Sequence, residues 1–216
     1  GAATMSAMDL QTYWVKKHDD YTSSDWISKP SLFAEWALQY FPASGSVLEL
    51  GAGQVQDSRY FAEHGYHVTA TDFSEHALEL AKAKTPSSIA LQVVDLAQPL
   101  PFAIASYDVA YAHLSLHYFN SQTTAALFAE IYRVLKPGGT LLALFNSTDD
   151  PQASEGQEIE ENFHEVDGIQ KRFFSPEAAK EFAKNFEVIV LDNAGTTHKD
   201  NEKGIHNLVR LVCRKP

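Results

Sequence analysis

Cysteine is all but missing from these 216 residues: Cys213 stands alone. A single thiol closes no intramolecular disulfide and builds no thiolate metal cage. Long apolar runs are missing too. Stretches such as Leu141 to Phe145 fall far short of the roughly 20 residues that a membrane helix needs, so no membrane partner is expected. Positive charge is scarce, with 17 Lys and Arg against 28 Asp and Glu and a formal net charge of −11. Such a chain, lacking a long Lys/Arg cluster, is repelled by a phosphate backbone, and nucleic acid is not an expected partner. The N-terminal GAATMSAMDL has neither a basic start nor an apolar stretch. No signal peptide is therefore expected, Gly1 ahead of Met5 reads as a cloning remnant, and a cytoplasmic location is the expectation. Oligomeric state leaves no trace in the sequence.

What is present is ordinary globular usage, 44% apolar and 21% charged, in a length that suits one domain with an added cap. Residues 1–45 form an aromatic-rich N-terminal segment. Within it Leu32, Phe33, Trp36, Ala37, Tyr40 and Phe41 repeat at helical spacing, with Pro30 suited to the first turn and Pro42 to the end. Tyr13, Trp14, Tyr21 and Trp26 add aromatic weight without a core of their own. They either fold over a cleft as a lid or pack on the outside of the sheet.

Residues 46–216 alternate strand and helix. Apolar strands read at 46–50, 66–71, 89–94, 107–112, 140–145, 186–192 and 206–213. Helices read at 54–64, from Ser74 to Lys84, at 121–135 and from Ser175. Ser74 and Ser175 are N-caps by residue type, and Pro176 suits a first helical position. Such alternation implies an α/β, Rossmann-like doubly wound sheet, mostly parallel with helices on both faces. The last two strands have no helix between them, which favours an antiparallel pair at one edge. The polar stretch around 146–172, with Asp149, Asp150, Glu155, Glu158, Glu160 and Glu161, reads as an acidic loop insertion.

Ligands of such sheets bind beyond the carboxyl ends of the strands. After the first strand comes Glu49-Leu50-Gly51-Ala52-Gly53; its two glycines permit close approach to a ligand, or simply a tight turn. After the second comes Asp72, 19 residues beyond Gly53, where an acid can hold ribose hydroxyls or merely complement a helix N-terminus. Phe73 beside it suits an adenine face or the core. Asp95, after the third strand, can accept from an exocyclic amine or sit in a solvated turn. After the fourth, Ala112-His113 leads to Leu116-His117. Imidazole suits general-base work, and His113 faces the cleft in this reading. His117 reads as a helix-surface residue. Position 114 is Leu, so the pair is not His-Glu-x-x-His, and no metal is expected.

Together these segments resemble the class I S-adenosylmethionine-dependent methyltransferases. Val47-Leu48-Glu49-Leu50-Gly51-Ala52-Gly53, Val68 to Ser74, Val93-Val94-Asp95-Leu96 and Val134-Leu135-Lys136-Pro137-Gly138-Gly139 carry the likeness, in order. Phe145 to Pro151 and Arg172 to Ser175 loosely resemble the small-molecule, tellurite-resistance subgroup. The family's third glycine is replaced by Val55. The resemblance implies a seven-stranded sheet with the last strand antiparallel, S-adenosylmethionine as cofactor, and a small-molecule methyl acceptor. It further implies that Gly51, Ala52 and Gly53 contact the methionyl part and that Asp72 holds the ribose. Phe73, Asp95 and Leu96 would line the adenine pocket. Glu49 would order the glycine turn or the amino group, Ala112 would join the cofactor contacts, and His113 would serve catalysis on the acceptor side. Two rival readings stand beside it. One is a non-catalytic binding module on the same fold. The other is a nicotinamide-dependent oxidoreductase, whose Gly-x-Gly-x-x-Gly fingerprint fails at Gln56.

Overall fold

The computed structural model describes residues 10–14, 29–198 and 207–216; Tyr21 and Trp26 lie outside them. Seven strands form one sheet: β1 (Ser46–Glu49), β2 (His67–Asp72), β3 (Ala90–Val93), β4 (Tyr107–His113), β5 (Leu135–Phe145), β9 (Glu187–Gly195) and β10 (Leu208–Arg214). Their order is β3-β2-β1-β4-β5-β10-β9. The β1 to β5 pairings are parallel, and β10 runs antiparallel to both β5 and β9. This is the Rossmann-like doubly wound architecture, with the last strand antiparallel.

Both faces of the sheet are covered, which is why its strands read as unbroken apolar runs. Side chains alternate across a strand, so neighbours go to opposite cores. Leu48, Ala110, Leu141 and Ala143 pack with Leu127, Phe128 and Ile131 of α5 (Ser121–Val134) and Ala179 of α6 (Pro176–Phe182). Val47, Val109, Leu142 and Leu144 pack with Phe33 of α2 (Leu32–Ala37), Phe61 of α3 (Gln56–Glu63) and Leu78 of α4 (Glu75–Lys82). Cys213 is buried in the first core, where burial pushes its thiol pKa up.

Local chemistry sets most helix starts. The Ser74, Asn120 and Ser175 side chains accept from backbone N–H groups three residues on, the ordinary N-cap bond. Helix α2 starts two residues after its proline, because the Ser31 hydroxyl is the cap and Pro30 lies outside. The preceding residues 10–14 are helical and are labelled α1. Arg210 ties α2 to the sheet: its guanidinium lies 4.1 Å from the Trp36 ring centroid and pairs with Asp192 at 2.7 Å.

The acidic stretch is not a loop. It holds a 3₁₀ turn at Pro151–Ser154 and a separate antiparallel sheet of β6 (Gln157–Glu160), β7 (Phe163–Val166) and β8 (Ile169–Arg172). The missed signal was Asp167-Gly168 between Val166 and Ile169, a two-residue hairpin turn. Both turn residues have positive φ, 52° and 79°. Arg172 fastens this sheet to the main body. It is 5% exposed, donates to the Phe119 carbonyl at 3.1 Å and pairs with Glu160 at 2.5 Å; Glu160 in turn accepts from Ser121 at the start of α5. The two segments of the loose subgroup likeness meet here, through a Ser147–Phe174 bridge and a Phe174 N–H to Asn146 carbonyl bond of 2.8 Å.

Candidate active site

Strand order reverses between β1 and β4, and a doubly wound sheet opens a crevice beyond the strand ends at such a point. Here the crevice is a cleft of about 600 Å³, within the roughly 300–1,000 Å³ of small-ligand sites.

Its floor is the turn after β1. Gly51 and Gly53 have φ of 76° and 58°. A Cβ at Gly51 would collide with the Ser115 side chain, whose hydroxyl donates to the Leu50 carbonyl at 2.5 Å. Asp72 holds this turn from the end of β2. One carboxylate oxygen accepts from Gly53 N–H at 2.9 Å and the other from Ser74 N–H at 2.8 Å. The acid of the second strand thus organises the glycine turn of the first.

Two buried acids lie beneath the turn. Glu49 is 2% exposed and accepts from the Ser58 hydroxyl at 2.6 Å. Burial holds its carboxyl well above the usual range; the charges of Asp57 and Asp72 add to this, and the Ser58 bond opposes it. Asp57, which sequence reasoning missed, is the hub of a network. Its carboxylate accepts from Ser31 N–H at 2.7 Å, the Ser31 hydroxyl at 2.7 Å and the Tyr111 hydroxyl at 2.6 Å. Ser31 also caps α2, so one carboxylate joins the N-terminal segment, α3 and β4 at the cleft wall. Burial pushes the Tyr111 hydroxyl pKa well up, helped by Asp57 and Glu49.

Val55, at the position of the expected third glycine, caps α3 in the left-handed region with φ 66° while fully buried. A β-branched residue is rarely found there. Val55→Gly removes a backbone cost of about 1–2 kcal/mol and gives up burial worth about 1.5–2 kcal/mol, so the net change is expected near zero. Val55→Ala keeps the backbone cost and is expected to destabilise by about 1–2 kcal/mol. Thermal unfolding should therefore rank the glycine variant at or above the alanine variant, the reverse of the usual order; a clearly lower glycine variant would refute the argument.

The opposite wall follows β4. Residues 114–120 form no helix, so His113 and His117 do not share a helical face. His117 is a cleft-lining residue only 2% exposed, not a surface one. Burial lowers its pKa to about 3, with the charges of Lys171 and His113 adding. Burial likewise lowers the pKa of His113, with the Asp57 charge opposing and His198 adding. Both imidazoles are neutral at physiological pH. Among the described residues His113 Nε2, His117 Nδ1 and Gln56 Oε1 are buried side-chain atoms without a hydrogen-bond partner, and all three residues line the cleft.

The roof comes from Leu10, Tyr13 and Trp14 of α1, the Asp150–Gln152 turn, Lys171 of β8, and Thr197 and His198. Glu49, Gly51, Ala52 and Gly53 all line the cleft, as do Asp72, Phe73, Asp95, Leu96 and His113. Ala112 does not: it is fully buried in the core, its side chain packed on the α5 side of the sheet. Phe163, His164 and Phe174 of the small sheet and the turn after it do not line the cleft either and are buried in packing. Among the described residues no helix is long and apolar enough to cross a membrane, and no group of three or more His, Cys, Asp or Glu could hold a metal.

The chemistry of the cleft selects among ligands. Its described lining carries five carboxylates, Glu49, Asp57, Asp72, Asp95 and Asp150, against two lysines, Lys29 and Lys171. An acidic wall repels a diphosphate and attracts a cation. Backbone at Gly51, where a Cβ cannot fit, leaves room for close approach. A nucleoside joined to a cationic amino-acid tail, as in S-adenosylmethionine, fits these donors and acceptors.

The class defined by this sheet and cleft is a doubly wound nucleoside-binding domain. Residues 48–143 match the family model of the methyltransferase domain. The main sheet has the fold of solved S-adenosylmethionine-dependent methyltransferases. It is 34% identical over 93 residues to an uncharacterized methyltransferase of Synechocystis, 43% of each chain. It is 30% identical over 139 residues to a malonyl-acyl-carrier-protein O-methyltransferase of Pectobacterium atrosepticum, 63% of this chain and 51% of that one. The matched segment thus spans about half or less of these curated relatives. Among solved structures, a 1,6-didemethyltoxoflavin N1-methyltransferase of Burkholderia thailandensis superposes with TM-score 0.71 at 19% identity, covering 100% of this chain and 91% of that one.

Proposed function

We propose that this chain is an enzyme that transfers a methyl group from S-adenosylmethionine to a small-molecule acceptor. The observation that carries the reading is the acid-lined cleft at the strand-order reversal, floored by a glycine turn that Asp72 holds in place. When bound, the cofactor supplies an electrophilic methyl group on a sulfonium with a good leaving group. Gly51, Ala52 and Gly53 would meet its methionyl part, and Asp72 its ribose hydroxyls. Phe73, Asp95 and Leu96 would line the adenine pocket, and Glu49 would face the positive charge of the tail. Positioning and exclusion of water then do most of the catalysis.

His113 would take a proton from an acceptor that carries one; the reading is supported by burial, which lowers its pKa, and by Nε2, which has no hydrogen-bond partner among the described residues. Tyr13 and Trp14 of α1 would close over the cleft as part of a lid. Small-molecule acceptors are supported by relatives named for C-methylation in ubiquinone and menaquinone biosynthesis and for N1-methylation of 1,6-didemethyltoxoflavin, and this variety leaves the methylated atom to the acceptor pocket. The finer likeness to the tellurite-resistance subgroup rests on sequence alone.

Thermal melting with S-adenosylmethionine, S-adenosylhomocysteine and NADH tests the reading. The first two are expected to raise the melting temperature by several degrees and NADH to leave it unchanged; the reverse pattern would replace methyl transfer by hydride transfer. Binding without turnover over a broad acceptor panel would favour the non-catalytic module. An unchanged rate in His113→Ala would remove the base.

A further inference from the structure

The acceptor half of the cleft has a chemistry of its own, and its reading rests on the methyl-transfer assignment above. The proposed cofactor contacts come from the ends of β1, β2 and β3. The remaining wall comes from the segment after β4, from α1 and from the small sheet. Trp14 stands edge-on to Tyr118, with ring centroids 5.6 Å apart at 83°, and Tyr118 lies 4.6 Å from the His117 ring. These rings make flat apolar sides. On the same wall His113 Nε2 and His117 Nδ1 are buried without hydrogen-bond partners among the described residues, and His117 is 2% exposed. Lys171 lines this side, close enough for its charge to act on His117; its ammonium donates to Gln152 Oε1 at 3.1 Å. Asp150, two residues before Gln152, accepts from the Gln152 N–H and caps the 3₁₀ turn.

We infer that the acceptor is a small planar aromatic or heteroaromatic compound, its hydroxyl or ring N–H groups directed at His113 and His117 and an anionic oxygen directed toward Lys171. Aromatic walls favour a flat ring over an aliphatic chain. Two neutral imidazoles offer each such group a nitrogen partner without requiring charge, whereas a cationic acceptor would meet Lys171. Transfer to such a hydroxyl breaks the sulfur–methyl bond, whose electron pair stays on sulfur as a neutral thioether. It forms an oxygen–methyl bond, and the hydroxyl proton passes to His113.

Calorimetric titration of the full chain, with and without saturating S-adenosylhomocysteine, tests this with protocatechuate, catechol, benzoate and cyclohexanecarboxylate as probes. Protocatechuate is expected to bind at least about tenfold more tightly than benzoate or cyclohexanecarboxylate. His117→Phe keeps the ring and removes the nitrogens; it should erase that preference and leave S-adenosylhomocysteine affinity within about twofold. Lys171→Gln should remove the advantage of protocatechuate over catechol. Equal binding of cyclohexanecarboxylate, no binding of protocatechuate, or an unaltered preference in His117→Phe would overturn the acceptor class while leaving cofactor binding in place. Failure of S-adenosylhomocysteine itself to bind would instead overturn the methyl-transfer reading and this assignment with it.

Discussion

Asp72→Ala is expected to weaken S-adenosylhomocysteine binding by about a hundredfold, which is about 3 kcal/mol. Two effects add. A carboxylate bonded to a diol contributes charge-assisted hydrogen bonds worth about 1.5–3 kcal/mol each. The same carboxylate holds Gly53 N–H at 2.9 Å and Ser74 N–H at 2.8 Å, so its loss also frees the turn that the methionyl part would cross. Asp72→Asn keeps one acceptor oxygen and should fall between, at about a tenfold loss. Titration calorimetry measures both, with circular dichroism to confirm the fold. An alanine variant binding within about threefold of the native protein would take Asp72 out of the site.

The second large effect is on stability. Asp57→Ala leaves Ser31 N–H, the Ser31 hydroxyl and the Tyr111 hydroxyl without their acceptor in a buried setting. Each orphaned buried donor costs about 1–3 kcal/mol. Relief of the repulsion between Asp57 and Glu49 returns part of that sum. A net loss of about 3 kcal/mol is expected, which lowers the melting temperature by roughly 6–12 °C for a chain of this size. Tyr111→Phe removes one donor together with its need for a partner and should cost less, about 1–2 kcal/mol. Combining the two changes should be less than additive, since they share one network. Additive losses in denaturant unfolding would show that the hydroxyl and the carboxylate do not act together. The consequence reaches the site: Asp57 anchors Ser31, the cap of α2 and itself a cleft-lining residue, so its loss should also loosen the cleft wall there.

Much of this protein was legible residue by residue. The strands of the main sheet read as apolar runs because both sheet faces are covered, and the Ser74 and Ser175 caps read from side chains that bond three residues ahead. The glycine turn and the acids after β1, β2 and β3 stand at the cleft because strand ends in such a sheet converge there. The small sheet of β6 to β8 was hidden by its acidic residues, although its Asp167-Gly168 turn was readable. Ala112 follows the same alternation as its neighbours but faces the core rather than the cleft.

Near neighbours and period set the elements, their caps, the turn glycines and the order of chemistry along the strand ends. Tertiary structure alone decided the rest. Asp57 meets Ser31 across 26 residues and Tyr111 across 54, contacts that no local pattern encodes. The lowered pKa values of His113 and His117 come from burial in the folded chain, and charge state in a protein follows desolvation and nearby charge rather than residue type. Val55 is held at φ 66° because packing of a fully buried side chain at the start of α3 outweighs a backbone preference.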